Sequence, residues 1–176
     1  QRPSPAEGQV LVRVHASAAN PFDLAMRAGY LAGWYALAFP LTLGLDVAGV
    51  VEELGAGVED LAPGAAVYAR ADPGSCGANA EYVVVSRSDL AAMPGSLSFA
   101  EAAALPHSFL SAWRVLVDGA NIAAGQRVLI HAAAGGVGSV AVQLAKARGA
   151  YVIGTAFCLL RWKMDSHITR AMACHG

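Results

Sequence analysis

The sequence predicts an α/β plus β fold in which a compact, β-barrel-like domain precedes a single βαβ unit. Short β-rich runs, separated by glycine and proline, fill the chain as far as Leu90, a spacing typical of small barrels. Arg127 to Thr155 then follows the order strand, glycine turn, helix, strand. We therefore divide the chain into a first domain at 1–97, a partial second domain at 98–156 and a divergent tail at 157–176.

The first domain begins with Gln9 to Ala16, where apolar and polar side chains alternate as in a half-buried strand. A loop and short helix follow, in which Asn20 or Asp23 can cap the helix and Pro21 suits its first position. Glycine and proline turns then separate three further predicted strands, at Leu43–Val51, Val67–Tyr68 and Ala80–Val85.

The second domain begins with two helices. Ser98 and Glu101 form the sequence pattern of a capping box before an alanine-rich helix. We expect Pro106 to end that helix and a second helix to run from Phe109 to Val117.

The βαβ unit is predicted from three adjoining patterns. Arg127 to His131 and Ala150 to Gly154 are short apolar runs with β-branched residues, as in buried parallel strands. Between them, apolar residues recur at helical spacing, and Gly149 can cap the helix. The helical positions are Val137, Val140, Ala141, Leu144 and Ala145.

The turn of this unit consists of small residues, which lets the backbone approach a pyrophosphate and point helical N–H groups at it. Compared with G-x-G-x-x-G, alanine replaces the first glycine, while the second and third are kept. A structural turn without a ligand is the alternative. The predicted dinucleotide-binding residues of this Rossmann-type unit are Ala133, Ala134, Gly135, Gly136, Val137, Gly138 and, after the second strand, Thr155.

The residues after the second strand favour NADP(H) over NAD. An acid usually binds the ribose hydroxyls of NAD there, but Gly154 to Cys158 contains neither Asp nor Glu. Arg161 and Lys163 precede the next acid, Asp165, and suit a 2′-phosphate.

Composition narrows the classes of partner. The net charge of −1 gives no electrostatic case for nucleic acid or an anionic membrane surface. The chain contains uncharged apolar segments, but each of them is interrupted by glycine or proline or is too short to span a membrane comfortably. The spacing of Cys76, Cys158 and Cys174 fits neither zinc nor a redox pair, and the polar, proline-rich start is not a secretory signal. We therefore expect a cytoplasmic protein without nucleic-acid or membrane partners.

Several motifs together resemble the medium-chain dehydrogenase/reductase superfamily, and within it the zinc-free quinone oxidoreductase, zeta-crystallin-like branch. The resemblance runs from about Val10 to Ala156 and implies a GroES-like first domain followed by the first part of a Rossmann domain. Its motifs are Asn20-Pro-Phe-Asp23, Arg27-x-Gly29, Gly44-x-Asp46-x-Ala-Gly49, Ala80-Glu-Tyr82, Ala102-Ala-Ala-Leu-Pro106, Ser111-Ala-Trp113 and His131-Ala-Ala-Ala-Gly-Gly-Val-Gly138.

The resemblance also implies a chemistry. Asn20 and Leu45 stand where zinc-dependent relatives have Cys and His, so we expect no zinc. The implied reaction is hydride transfer from NADPH to a quinone or an activated alkene.

The resemblance implies catalytic positions too. It places Asn20 and Ser111 near the nicotinamide and the substrate carbonyl, and makes Tyr30 a wall or donor of the pocket. The alternatives are a helix cap for Asn20, a backbone-bonded hydroxyl for Ser111 and plain packing for Tyr30. Asp46 is expected to pair structurally with Arg27, and His107 and His131 are not expected to be catalytic.

After Ala156 the pattern of the family stops, and the sequence lacks the remaining strands of a nucleotide-binding sheet. This predicts a truncated chain. Full-length relatives are expected to form homodimers through an edge strand. The alternative function is therefore a non-catalytic fragment that is unstable or binds a partner through its exposed sheet edge.

Overall fold

The computed structural model describes residues 2–35, 39–75 and 77–156. The chain forms two compact units, Gln1–His107 and a second that begins at Ser108. The first compact unit thus extends beyond Leu97, where the predicted first domain ends, and the domain bounds stay a prediction. The extension arises because Ala102 and Ala103, on the first helix beyond Leu97, pack with Ala48 in the first unit.

The first unit is built on one antiparallel sheet of five strands in the order β4-β1-β2-β3-β5. All the strands predicted there are confirmed, with shifted ends, and a fifth short strand was not predicted. The strands are β1 (Gln9–Ala18), β2 (Asp46–Leu54), β3 (Ala66–Arg70), β4 (Tyr82–Ser86) and β5 (Leu90–Ala92).

The core of this sheet comes from its alternating apolar side chains. Val10, Val12, Val47, Val51 and Val67 are almost fully buried in one cluster. Alternation is the signal that predicted the strand at Gln9–Ala16, whereas the other strands were predicted as short β-rich runs between glycine and proline turns. The strand β5 escaped prediction because three residues are too few to show a period of two.

The first unit also contains two α-helices, α1 (Pro21–Arg27) and α2 (Phe99–Ala103), and a short 3-10 helix, Arg87–Asp89. The predicted capping box of α2 is confirmed. The Ser98 hydroxyl accepts from the Glu101 N–H at 3.3 Å, and the Glu101 carboxylate accepts from the Ser98 N–H at 2.8 Å.

The next helix begins earlier than predicted. Pro106 was expected to end a helix, but it is the first residue of α3 (Pro106–Trp113). Proline has no N–H, and the first turn of a helix needs none, so it starts a helix as readily as it stops one. The helix continues as a π-helical segment, Arg114–Gly119.

The predicted βαβ unit is confirmed in the second unit. The strands β6 (Arg127–Ile130) and β7 (Tyr151–Gly154) pair in parallel, joined by α4 (Gly136–Ala147). On α4, Ala141 and Ala145 face the core as predicted, whereas Val137 is 41% exposed. Val137 lies in the first turn of α4, in the small-residue corner before the packed part of the helix.

Within the described ranges, no helix is both long and apolar enough to cross a membrane.

Candidate functional site

The glycine turn joins the end of β6 to the start of α4 and is hydrogen-bonded to the end of β7. The carbonyl of Ala132 accepts from the Gly135 N–H at 2.8 Å. The Ala133 N–H donates to the Thr155 carbonyl at 2.8 Å, and the Thr155 N–H donates to the Ile130 carbonyl at 3.0 Å. The turn is therefore held at the carboxyl edge of the parallel strands, where such sheets bind ligands.

The turn has no room for larger residues on its inner side. A Cβ on Gly138 would lie 2.8 Å from the carbonyl carbon of Ala132, and a Cβ on Gly154 would lie 2.9 Å from the Cβ of Ala133. A Cβ on Gly136 would come within 3.2 Å of the Ser108 hydroxyl. Gly138 therefore lets two backbone segments pack against each other, whereas Gly154 and Gly136 leave room for the side chains of Ala133 and Ser108.

The outer side of the turn is open. Ala134, Gly135, Gly136 and Val137 are exposed, while Ala133 is half-buried and Gly138 is buried. The first N–H groups of a helix have no acceptor within that helix, and the helix dipole adds positive character there. Because α4 has 12 residues and begins in this corner, the predicted residues fit a pyrophosphate.

Sequence reasoning missed the residue that turns the chain. Ala132 has φ +52, a left-handed conformation that is unusual for alanine. When the turn is aligned with the pattern G-x-G-x-x-G, the replaced first glycine falls at Ala133, one position after Ala132. A signal was present, since three consecutive alanines between a strand and a glycine pair leave only small residues to make the bend.

At the end of the two strands, His131 and Thr155 face each other. The Nδ1 atom of His131 lies 2.9 Å from the Thr155 hydroxyl, and His131 itself lies one residue beyond β6 rather than within it. Thr155 is half-buried. The residues invoked for a 2′-phosphate, Arg161 and Lys163, and the acid Asp165 lie outside the described residues.

In the first unit, Asn20 is fixed at both its backbone and its side chain. Its backbone N–H donates to Asp23 Oδ2 at 2.7 Å at the start of α1. Its side-chain nitrogen donates to Asp46 Oδ2 at 2.9 Å and lies 3.5 Å from the Ala18 carbonyl, a distance too long for a strong bond. Asn20 therefore occupies the cap position while its amide serves a second partner.

That partner, Asp46, is 1% exposed at the start of β2. Its other oxygen accepts from the His107 N–H at 2.9 Å. Burial raises the pKa of the Asp46 carboxyl, while the hydrogen bonds from Asn20 and His107 act in the opposite direction. The expected pairing of Asp46 with Arg27 is wrong: the partners of its two oxygens are Asn20 and the His107 backbone, and the arginine that acts on its pKa is Arg70.

Asp23 is the second buried carboxylate of this cluster, at 5% exposure. In addition to the Asn20 N–H, it accepts from the Gly44 N–H at 3.0 Å. Asp23 thus ties α1 to the segment just before β2. Sequence reasoning treated Asp23 as a cap and Asp46 as part of a motif, and it assigned neither to the site.

The other predicted catalytic residues, Tyr30 and Ser111, are on different parts of the chain. Tyr30 is 80% exposed, which does not support a packing role within its unit. Ser111 is half-buried on α3 and belongs to the second unit. The structure therefore brings together Asn20, Asp23, Asp46 and His107, and the roles of Tyr30 and Ser111 stay predictions.

In residues 2–35, 39–75 and 77–156, no three His, Cys, Asp or Glu side chains lie together as metal ligands. Leu45, at the position of a zinc-binding His in the family, is fully buried with Met26 in an apolar cluster. Cys76 lies outside the described residues. A zinc-free site stays a prediction from the side chains at these positions.

Comparison with known proteins relates the chain to dehydrogenases and oxidoreductases. A family model described as "Alcohol dehydrogenase GroES-like domain" matches residues 6–115. A human protein named NAD(P)H oxidoreductase RTN4IP1, mitochondrial, is 43% identical over 168 residues, which covers 85% of this chain and 41% of the human one. That name mentions another compartment, so the cytoplasmic location stays a prediction.

Two solved structures resemble this chain closely. An alcohol dehydrogenase superfamily protein from Novosphingobium aromaticivorans gives a TM-score of 0.85 at 42% identity, covering 90% of this chain and 48% of that protein. The Escherichia coli quinone oxidoreductase, solved in complex with NADPH, gives 0.80 at 32% identity, covering 90% and 47%.

The chain thus spans about half the length of the proteins it matches. The match to the family model covers most of the first unit, and the solved structures match along nine-tenths of the chain. The chain belongs to the family of the alcohol dehydrogenase GroES-like domain, and within the medium-chain dehydrogenase/reductase superfamily it is quinone oxidoreductase-like.

Proposed function

We propose that the chain carries the substrate domain and the pyrophosphate-binding part of an NADPH-dependent oxidoreductase that reduces a quinone or an activated alkene without zinc. The observation that supports this most is the glycine turn between β6 and α4. Its inner side excludes any Cβ at Gly138, and its outer side opens at the N-terminus of a 12-residue helix.

The bound nicotinamide would supply the hydride, and the residues of this chain would position the acceptor. In this proposal, Asn20 and Ser111 each donate a hydrogen bond to a substrate oxygen as negative charge develops on it. Tyr30, Trp34 and Phe39 are each at least 80% exposed, and such apolar rings suit a flat, hydrophobic carbonyl compound.

NADPH is preferred over NADH in this proposal because no acid follows β7 through Ala156. An acid at that place would bind ribose hydroxyls and repel a 2′-phosphate. Thr155 offers a hydroxyl instead, and that hydroxyl lies 2.9 Å from the His131 ring.

Two measurements test the proposal together. The first follows oxidation of NADPH in the presence of a small quinone, with NADH as the matched alternative. The second records the thermal midpoint while NADPH or NADH is added. We expect NADPH to raise the midpoint in a saturable way and NADH to raise it less. If neither NADPH nor NADH raises the thermal midpoint and neither is oxidised, the proposal is refuted for this chain.

A second candidate is a non-catalytic protein that binds a partner through the face of β6. Leu129 on this strand is 55% exposed, and a groove of about 430 Å³ beside it is lined by Leu116, Ile122 and Val128, among others. Exposed apolar surface of this kind marks interaction sites. Sedimentation of the chain and of Leu129→Lys over a range of concentrations tests self-association through this face. If the unmodified chain self-associates and Leu129→Lys does not, the result favours the partner-binding candidate.

A further inference from the structure

The Asn20 amide has two chemically different ends, and its orientation decides what it offers a ligand. The nitrogen donates two hydrogen bonds and the oxygen accepts. One N–H is directed at Asp46 Oδ2, 2.9 Å away, while the second has only the Ala18 carbonyl at 3.5 Å. The nitrogen is therefore held by one strong bond and keeps a second hydrogen that is weakly engaged.

An ionised carboxylate selects the nitrogen end of a neighbouring amide, because it accepts hydrogen bonds and cannot donate them. Oδ1 of Asp46 is already bonded to the His107 N–H, which fixes the orientation of the carboxylate. The backbone of Asn20 is fixed separately by Asp23. Because the backbone and the carboxylate are both held, the orientation of the Asn20 amide depends on rotation of its own side chain, and the bond to Asp46 Oδ2 favours the orientation with the nitrogen toward it.

We propose that Asp46 is a positioning residue that fixes the Asn20 amide with one N–H toward Oδ2, so that the second N–H is the donor offered to a substrate oxygen. The substrate contact rests on the proposed function, whereas the orientation of the amide does not. Such a positioning role accounts for a carboxylate that is only 1% exposed beside a half-buried asparagine.

The charged groups around Asp46 come from several elements. Arg70 lies opposite it in the register of β2 and β3, His107 contributes its backbone N–H from α3, and Asp23 lies on α1. Burial raises the pKa of Asp46, and Asn20, His107 and Arg70 counteract that increase. The titration of Asp46 is therefore a usable probe of the bond to Asn20.

The experiment is NMR of the 18.0 kDa chain, with the Asn20 side-chain signals assigned by their loss in Asn20→Gln. In Asp46→Asn, the His107 N–H still requires the side-chain oxygen of residue 46, so the new NH2 faces Asn20 and the Asn20 amide flips. We expect hydrogen exchange at the Asn20 nitrogen to accelerate about tenfold as the bond to a charged acceptor is lost.

Asp23→Asn is the matched control, since it alters the other buried carboxylate but spares the Asn20 side-chain bond. An equal change in both variants, or no change in Asp46→Asn, would overturn the proposal. If Asp46→Asn does not fold, titration of the unmodified chain decides. The Asn20 side-chain shift must then follow the Asp46 carboxyl signal, and a flat response refutes the assignment. Because this readout needs no turnover, it remains interpretable even if the oxidoreductase proposal fails.

Discussion

The carbonyl group of Ala132 lies directly against Cα of Gly138, so that any Cβ at residue 138 would overlap it. Ala132 lies in the turn after the first strand of the βαβ unit and has a left-handed conformation, and Gly138 lies in the first turn of the following helix. This contact folds the corner tightly enough for the N-terminus of α4 to face outward beside the end of β7.

Gly138→Ala should destabilise the second unit and abolish the thermal shift produced by NADPH. The new methyl group would lie 2.8 Å from the Ala132 carbonyl carbon, and overpacking of this kind costs about 1–3 kcal/mol. Urea denaturation and NADPH titration measure the two effects. Gly95→Ala is the control, because a Cβ there meets no atom within 4 Å. Retention of the full NADPH shift in Gly138→Ala would contradict the proposed cradle.

Ala132→Gly should leave the chain as stable as before or stabilise it by up to about 1 kcal/mol. The left-handed conformation costs alanine about 1–2 kcal/mol, and glycine removes this cost. Glycine also increases the conformational entropy of the unfolded chain, which offsets part of the stabilisation. Ala134→Gly, at an exposed position without a positive φ, should lose about 0.4–1 kcal/mol. Equal losses in the two variants by urea denaturation would rule out strain at Ala132.

Gly44→Ala should destabilise the first unit more than Gly64→Ala. Both glycines have positive φ, but a Cβ at Gly44 would lie 2.6 Å from the backbone nitrogen of Asn79, whereas Gly64 has open space. The conformational cost of about 1–2 kcal/mol is shared, and the clash adds about 1–3 kcal/mol at Gly44 alone. Similar midpoints for the two variants in urea would show that the segment before β2 adjusts freely.

The stability of the unmodified chain, measured relative to Asp46→Asn, should fall as pH rises above 3.8, the usual pKa of this carboxyl. Burial raises the pKa of Asp46 in the folded state, so the folded chain holds the proton at pH values where the unfolded chain has lost it. The relative loss should level off once pH exceeds the folded pKa. Urea denaturation of both proteins across this range provides the measurement, and a pH-independent difference would contradict a raised pKa.

Local sequence patterns predicted most of the secondary structure because they act over short distances. Alternation at Gln9 to Ala16 identified β1, and the pattern of Ser98 and Glu101 identified the start of α2. The role of Pro106 was predicted wrongly because proline suits both the residue after a helix and the first residue within one. The strand β5 was missed because its three residues carry no period.

The cluster around Asn20 depends on contacts between residues that are far apart in the sequence, which local patterns do not predict. Asp46 lies 26 positions after Asn20 and 61 before His107, and no local pattern shows that one carboxylate bonds to both. The expectation from the sequence was a pairing of Asp46 with Arg27 instead. Antiparallel pairing of β1 with β2 brings Ala18, near Asn20, opposite Asp46, and the start of α3 provides the second donor.

By itself, the sequence determined the family, the order of strands and helices and the small-residue corner between Ile130 and Val140, because these depend on residue types at fixed short spacings. Tertiary structure alone decided that Ala132 carries the left-handed bend and that Asp46 accepts a hydrogen bond from the Asn20 amide. The physical reason is burial. A carboxylate removed from water must bond to whichever donors the fold brings to it, and those donors come from distant parts of the chain.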